Sequence, residues 1–553
     1  MKKITLFFFI VFSQILFSQN KITETEKLAT TCKVWGFLKY YHPKVASGEL
    51  NWDTQLLEKL PLIEKAQTQK EFSLILENWI DDLGPVKEIA PIAVPKDIEH
   101  FDKNFDLSWF NGKLFSKKLS KKLKFIEENR YQGEQFYVYT VPLSGNIGMQ
   151  NESLAHPDFT DKNSKLRMVF MFWNLVEYFF PYKYIMDQKW DTTLEQIIPL
   201  AIKADNREDF YKVMIRLTSK IDDSHNDVYI YPAVEGVKPD KYYFPVDAKI
   251  IDEKIVVTEI LGDSLAQAAD IKVGDIITKV NGKTIKEIIV EKKDWICASN
   301  EAKYLDKLVK GILLSYSDTV EVEFFKNGEY ITKTMTLFDY HDSHRNEFKK
   351  GARKKKEKFK MLDNNVGYVD MAILGVKNVP DMIELLKNTK AIVFDLRNYP
   401  NGTFEKIGKF ICSKENKFAI YTIPDISYPG KFMWAPGSSI GVDNKDNYKG
   451  KVIVLLNEKS QSHAEWTAMC FQSAGNTTIV GSQTSGADGT ISRFDFKGFQ
   501  TIFTGMGVYY PDRRETQRIG IVPDIEVKPT IKGIKEGKDE VLERALLYIE
   551  NGK

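Results

Sequence analysis

The chain has 553 residues, 43% of them hydrophobic and 28% charged, a composition that excludes both a disordered polymer and a multi-span membrane protein. At roughly 100–200 residues per domain, this length predicts about three or four domains. The formal charge is only +2, from 78 Lys and Arg against 76 Asp and Glu, which argues against nucleic acid or an anionic membrane as a partner.

The first residues form a pattern typical of a secretory signal peptide. Lys2 and Lys3 are followed by an apolar run over residues 4–12, which is too short to span a bilayer. We expect residues 1–19 to be a cleaved signal peptide and the mature protein to be periplasmic or secreted. No other stretch approaches the ~18 apolar residues of a membrane helix, so we expect no stable membrane span.

An internal duplication predicts two helical copies, over residues 20–160, where the first leads into a mixed region, and over 161–235. The recurring positions are Trp35, Pro43, Trp52, Asp53, Thr54 and Phe72 in the first copy and Trp173, Pro181, Trp190, Asp191, Thr192 and Phe210 in the second. Each copy ends in a pair of acids, but only in the second does Ser224-His225 follow. This contrast indicates that the shared aromatic scaffold is structural and that the dipeptide has a special role.

Residues 240–340 alternate in short segments typical of strands. Asn281-Gly282 signals a tight hairpin turn, and Gly274-Asp275 precedes it in a second turn. The order of these motifs resembles a PDZ domain, which implies binding of a peptide by strand addition, unless the module is purely structural. The basic stretch that follows, residues 341–360, is interpreted as a solvated linker.

Residues 361–553 alternate strands with helices, which predicts a layered α/β domain. The strand 452–456 leads through a polar loop to Ser462, which opens a helix. A serine at such a turn exposes its hydroxyl beside unpaired helix N–H groups that can stabilise negative charge. The alternative is that Ser462 is only an N-cap, with Glu465 as its capping-box partner.

Several separated motifs in this region favour the catalytic interpretation. They are Asp395-Leu396-Arg397-Asn398 with the turn at Pro400-Asn401-Gly402, Ser462-His463-Ala464-Glu465, Gly481-Ser482-Gln483-Thr484-Ser485-Gly486, and Gly520-Ile521-Val522-Pro523-Asp524. Together with the PDZ-like module, they resemble the C-terminal-processing and tricorn-type serine proteases, members of the PDZ-containing, tail-specific protease superfamily, over about 300 residues. The resemblance implies a crotonase-like α/β catalytic domain with Ser462 as the nucleophile. It also implies an oxyanion hole from the backbone N–H of His463 and that of Gly402 or Asn401.

The resemblance also bears on the general base. Ala487 stands where the processing proteases carry a lysine. The tricorn branch instead uses a histidine that follows a serine, plus a glutamate near the end of the domain. By this likeness His225 is the base, and Ser224 and Glu515 orient and polarise it or position the water. His463 is an alternative base, which we disfavour because a residue beside the nucleophile at a helix start usually points away from it.

These features predict an α/β multidomain protein that acts as an exported serine peptidase on peptides or unfolded protein tails. Two alternatives are a catalytically weak peptide-binding relative and a hydrolase of another acyl substrate. We expect no cofactor and no metal, because neither the histidines nor the cysteines form a ligand spacing. The pairing of the four cysteines and the oligomeric state remain open.

Overall fold

The computed structural model describes residues 22–92, 98–152, 158–230, 242–339, 357–496 and 498–552, in two compact units. The first unit comprises the described residues up to Leu217 with Ile423–Trp434 and Ser492–Gln500; the second comprises those of Thr218–Thr422, Ala435–Ile491 and Thr501–Lys553. The predicted signal peptide and residues 341–356 of the predicted linker lie outside the described residues. Within those ranges no helix combines the length and apolar character needed to cross a membrane.

The first unit is built mainly from helices. They are α1 Glu24–Tyr41, α2 Pro43–Ala46, α3 Trp52–Lys65, α4 Gln69–Asp82, α5 Lys117–Glu128, α6 Lys162–Phe179, α7 Trp190–Lys203 and α8 Arg207–Ser219. Short strands accompany them: β1 His100–Phe101, β2 Val138–Thr140 and β3 Ile147–Met149, of which β2 and β3 form a hairpin.

The tryptophans of the duplication make the same contacts in both copies. The Trp35 indole donates to the carbonyl of Trp52, and the Trp52 indole donates back to the carbonyl of Trp35. Trp173 and Trp190 repeat this exchange, at 3.0 Å in each direction. All four rings are buried, so these positions join two helices of each copy and serve packing.

The acid pairs that follow the two copies are not structurally equivalent. Asp81 and Asp82 lie within α4, are exposed and pair with lysines of the first unit. The helix α8 ends at Ser219, so Asp222 and Asp223 lie beyond it, in the second unit. The two acid pairs, which look alike in the sequence, therefore differ in the structure: at this point only the second copy carries a buried acid, Asp223.

The first part of the second unit contains a β-rich module. The strand β4 Val228–Ile230 precedes this module and belongs to a different sheet. The strands of the module are β5 Tyr242–Tyr243, β6 Val246–Ile251, β7 Lys254–Ile260, β8 Ile276–Val280, β9 Lys283–Thr284, β10 Leu314–Ser315, β11 Thr319–Lys326, β12 Glu329–Thr336 and β13 Phe338–Asp339, and its helices are α9 Asp263–Ala268, α10 Ile285–Lys292 and α11 Glu301–Ile312. The main sheet has the order β12-β11-β8-β7-β6 with antiparallel neighbours, which makes β6 an edge strand. Its apolar face packs against α11 in one buried core.

The rest of the second unit contains an α/β layer. Its strands are β14 Phe359–Leu362, β15 Val366–Asp370, β16 Ala391–Asp395, β17 Asn416–Pro424, β18 Phe432–Ile440, β19 Lys451–Leu456, β20 Thr477–Gly481, β21 Ile491–Phe496, β22 Phe499–Thr504, β23 Gly507–Tyr509 and β24 Ile525–Glu526; the chain crosses between the units within β17, β18, β21 and β22. The helices are α12 Val379–Leu386, α13 Phe404–Ile411, α14 His463–Gln472, α15 Ile531–Lys535 and α16 Glu540–Asn551.

The central sheet of this layer has the order β14-β15-β16-β19-β20-β24, with β14 antiparallel and the others parallel. One face packs against α12, α13 and α14, and the other packs against α16. Two strands, β16 and β19, end at the same edge, because carboxyl ends of parallel strands coincide. The turns that follow them carry Gly402 and Ser462, so the sheet itself brings these two residues to one edge.

Candidate active site

Ser462 lies at a strained turn between a buried strand and a helix. It follows β19 after a five-residue loop, caps α14 and remains partly exposed. Its backbone has φ 54° and ψ −115°, a conformation that is costly for a residue with a side chain. In the nucleophile elbows of α/β-hydrolases, a similar strained turn displays a serine hydroxyl above the sheet edge.

The carboxylate of Glu465 holds this turn in place. It accepts the Ser462 N–H at 3.0 Å, and the N–H groups of Gly486 and Ala487 at 2.8 and 3.2 Å. The hydroxyl of Thr484 donates to it as well, at 2.5 Å. Burial raises the pKa of Glu465, and the four donors oppose this rise. The capping-box contact expected from the sequence is therefore one part of a larger network that fixes the backbone at Ser462.

Two backbone N–H groups near Ser462 have no acceptor within the described residues. One is that of His463, the first residue of α14, where a helix leaves its N–H groups unpaired. The other is that of Gly402. The third candidate donor, the N–H of Asn401, is already bonded to the carbonyl of Met371 at 3.2 Å.

The side chain of His463 packs between two rings of the Gly402 turn. The rings of Tyr399 and Phe404 lie 6.0 and 5.4 Å from it, centroid to centroid. Its Nε2 is buried and has no hydrogen-bond partner among the residues that the structure describes, and burial lowers the pKa of His463. The imidazole is thus packed against apolar rings, and these contacts bring the Gly402 turn beside the start of α14.

The segment that carries His225 is anchored on the side of Ser224. The Ser224 hydroxyl donates to the carbonyl of Ser485 at 2.8 Å and accepts the N–H of Ser299 at the same distance. In return, the Ser299 hydroxyl accepts the N–H of Ser224 at 2.8 Å. The amide of Gln461, which directly precedes Ser462, donates to the carbonyl of Ser224 at 3.3 Å. The residues next to His225 and Ser462 are therefore in direct contact.

The His225 ring is hydrogen-bonded through one of its two nitrogens. Its Nδ1 lies 2.8 Å from the Thr504 hydroxyl, and the side chain is 8% exposed. Within the described part of the chain, Nε2 has no partner, and no hydrogen bond joins this ring to the Ser462 hydroxyl. Burial lowers the pKa of His225; the charge of Asp223 opposes this change, and two lysines of α11 add to it. The imidazole is therefore neutral at pH 7, the form that a general base requires.

The remaining predicted residue, Glu515, is half-buried and forms an isolated β-bridge with Tyr509. Two residues further along the chain, Gln517 donates to the Asp223 carboxylate at 3.3 Å. The segment of Glu515 therefore adjoins the loop of His225.

Two residues that contact this histidine were missed by the sequence reasoning. In the sequence, Asp223 is one member of a pair of acids. Because the first copy also ends in a pair of acids, this pair did not indicate a functional role. Thr504 lies near the end of β22, and a threonine in a strand carries no functional signal of its own.

In the described residues no group of His, Cys, Asp or Glu is arranged to hold a metal ion, and the four cysteines are buried and free.

Comparison with known proteins identifies both modules. Residues 234–295 match the PDZ domain, and residues 365–527 match peptidase family S41. A PDZ domain followed by an S41 peptidase domain defines the class of the chain. This order of modules confirms the resemblance to the C-terminal-processing, tail-specific proteases that was inferred from the motifs.

The relatives are distant. A "Probable CtpA-like serine protease" of Staphylococcus aureus (strain N315) is 24% identical over 330 residues, covering 55% of this chain and 58% of its own. A protein of the same description from Staphylococcus haemolyticus is 24% identical over 286 residues, half of each chain. The chain therefore spans little more than half the length of these relatives. Among solved structures, mature CPAF complexed with lactacystin is 12% identical, with a TM-score of 0.56 over 70% of this chain and 99% of that chain. This likeness confirms the multidomain α/β fold.

Proposed function

We propose that this chain is an exported serine peptidase that cleaves peptides or unfolded protein tails through an acyl-enzyme. The observation that carries the proposal is the geometry at Ser462. A strained turn carries Ser462 at the start of α14, and within the described residues the N–H groups of His463 and Gly402 have no acceptor. Ser224, next to His225, is hydrogen-bonded to Ser485 and Gln461 of the same region. Nucleophile, oxyanion donors and base are the parts that acyl transfer needs.

In the proposed reaction, His225 Nε2 accepts the Ser462 proton as the hydroxyl oxygen attacks the peptide carbonyl. The negative charge on the former carbonyl oxygen is stabilised by the N–H groups of His463 and Gly402. The imidazolium then protonates the leaving amine, which leaves an acyl-enzyme. Water, deprotonated by the same histidine, hydrolyses that ester and restores Ser462.

Two observations favour histidine over lysine as the base. Ala487, in the position of the lysine of processing proteases, is fully buried, and its carbonyl accepts the N–H of Ser462 at 2.9 Å. Lys459, in the loop before the nucleophile, is paired with Asp247 at 3.3 Å. Burial opposes the charge of Lys459, but its acidic neighbours keep its pKa above the usual value. A lysine that stays charged cannot accept the serine proton.

The PDZ domain is proposed to bind the substrate. Its strand β6 lies at the edge of the sheet, where a peptide can add as a further strand. Asp247 and Lys249 of this strand pair with Lys459 and Glu458 of the loop before Ser462. An occupied edge strand would therefore lie next to the residues that carry the nucleophile.

A fluorophosphonate probe tests the proposal directly. We expect covalent labelling of the wild-type protein at Ser462, because the probe reacts with serines that are activated as nucleophiles. Ser462→Ala should abolish the labelling. Ser473→Ala, which removes a serine at the other end of α14, is the matched control and should leave it intact. Absence of labelling in a folded wild-type protein would favour the peptide-binding alternative.

The pH dependence of catalysis tests the base. Because the pKa of His225 lies below its ordinary value of 6.5, we expect kcat/KM to be flat near pH 7. It should fall as the pH drops through the lowered pKa, since protonation removes the base. Initial rates on a peptide substrate between pH 4.5 and 8 measure this limb. A midpoint above pH 7 would instead indicate an amine base and contradict the assignment of His225.

A further inference from the structure

Asp223 is the most densely bonded carboxylate around the His225 loop. It is completely buried, and its oxygens accept the backbone N–H groups of His225 and Thr504 at 3.1 and 2.6 Å. They also accept the hydroxyl of Thr504 at 3.0 Å and the amide of Gln517 at 3.3 Å. Its distance to His225 Nδ1 is 3.9 Å, so the carboxylate reaches the ring only through the threonine hydroxyl.

The protons available in this chain of contacts fix the tautomer of the histidine. The Thr504 hydroxyl has one proton, and the carboxylate of Asp223 can only accept. If Thr504 donates to Asp223, its oxygen is free to accept, and His225 Nδ1 must carry the proton between them. The reverse arrangement would place two unprotonated oxygens 3.0 Å apart. The arrangement in which Thr504 donates to Asp223 is therefore favoured. It places the histidine proton on Nδ1 and leaves a lone pair on Nε2.

We propose that Asp223 is the positioning residue of this site, acting through the Thr504 hydroxyl to hold His225 in the tautomer whose Nε2 can accept a proton. The inference rests on the proposed function and deepens it. It assigns to Asp223 and Thr504 the orienting role that the sequence suggested for Ser224 and Glu515. The hydroxyl proton of Ser224 is committed to the carbonyl of Ser485, so Ser224 anchors the loop and has no proton left for the ring.

The charges around the ring give Asp223 a second effect. The charged groups that face His225 are Asp223 on its own loop and Lys303 and Lys307 on α11. The lysines disfavour the imidazolium that forms when Ser462 is deprotonated, and among the described residues Asp223 is the acid that opposes them. Removing the negative charge should therefore lower both the rate and the pH at which His225 titrates.

The test uses three variants of the threonines of β22 in the full-length protein. Thr504→Val removes the hydroxyl and keeps the shape and the backbone N–H, so we expect kcat to fall about 100-fold with KM nearly unchanged. Thr504→Ser should restore most of the rate, because it restores the hydroxyl. Thr501→Val is the matched control: this equally buried hydroxyl contacts Asn226 and not the imidazole, so kcat should change less than threefold.

Asp223→Asn adds a readout that a merely structural role would not change. An asparagine can donate to Thr504, which would turn the hydroxyl toward Nδ1 and place the histidine proton on Nε2. We expect about a 1000-fold loss of kcat and an acid limb at lower pH than in the wild type. If this variant does not fold, imidazole ¹⁵N spectra of the wild type and Thr504→Val decide, with the His225 signal assigned by its loss in His225→Gln.

The outcomes separate this inference from the proposed function. Loss of activity in Ser462→Ala together with wild-type kcat in Thr504→Val would overturn the role of Asp223 and leave the peptidase intact. An Nε2-protonated His225 in the wild-type spectrum would overturn it as well. Equal turnover by Ser462→Ala and wild type would instead overturn the proposed function.

Discussion

Ser462→Ala is expected to lower kcat for peptide hydrolysis by about 10⁴-fold or more. The hydroxyl forms the acyl-enzyme, so its removal leaves only binding and the oxyanion donors, and a factor of 10⁴ corresponds to about 5.5 kcal/mol of transition-state stabilisation. KM should change little, because a serine hydroxyl adds little to ground-state binding. The measurement is steady-state turnover of a fluorogenic peptide library by purified protein.

The same substitution should not impair folding. Alanine keeps the backbone bonds of residue 462 to Ala487 and Glu465, so the thermal midpoint should remain within a few degrees of the wild type. A variant with normal stability and unchanged turnover would show that the observed hydrolysis arises elsewhere. In that case the chain would remain a peptide-binding relative of the proteases.

His225→Ala should lower kcat by a similar factor, and the double variant with Ser462→Ala should be no worse than either single variant. Residues that act in one proton-transfer step lose their function together, so their effects do not add. The check is a double-mutant cycle of kcat on one substrate. Additive losses would mean that His225 and Ser462 act in separate steps, which contradicts the proposed base.

His463→Ala distinguishes the two histidines. The packed imidazole of His463 is not the proposed base, and alanine retains the backbone N–H that would serve the oxyanion. We therefore expect this variant to keep at least about a tenth of the wild-type kcat, reduced by looser packing against Tyr399 and Phe404. A loss as large as that of His225→Ala would make His463 the better candidate for the base.

The sequence predicts the sheet and the turn of Ser462 because local patterns encode them. Apolar strands that end in polar loops set the sheet edge, and the turn after β19 identifies Ser462 within that pattern. The Ser224-His225 dipeptide could be recognised as a candidate because the first copy of the duplication lacks it. In each case, the relevant signal lies within a few neighbouring residues.

The surroundings of His225 could not be predicted in this way. Thr504 contacts it across 279 residues of sequence, and a strand threonine looks the same whether it bonds a catalytic ring or a neighbouring carbonyl. Asp223 was obscured by the exposed acids of α4, which the pattern treated as equivalent. Only the end of α8 at Ser219 shows that the second pair lies beyond the helix, where one carboxylate is buried.

The left-handed backbone at Ser462 sets stability and chemistry against each other at a single position. A glycine would occupy that region without steric penalty, so the residue best suited to the fold there is not the one that can form an ester. A relative that no longer needed catalysis would gain folding stability if glycine replaced the serine at this position. An active enzyme would have to keep the serine in spite of its steric cost.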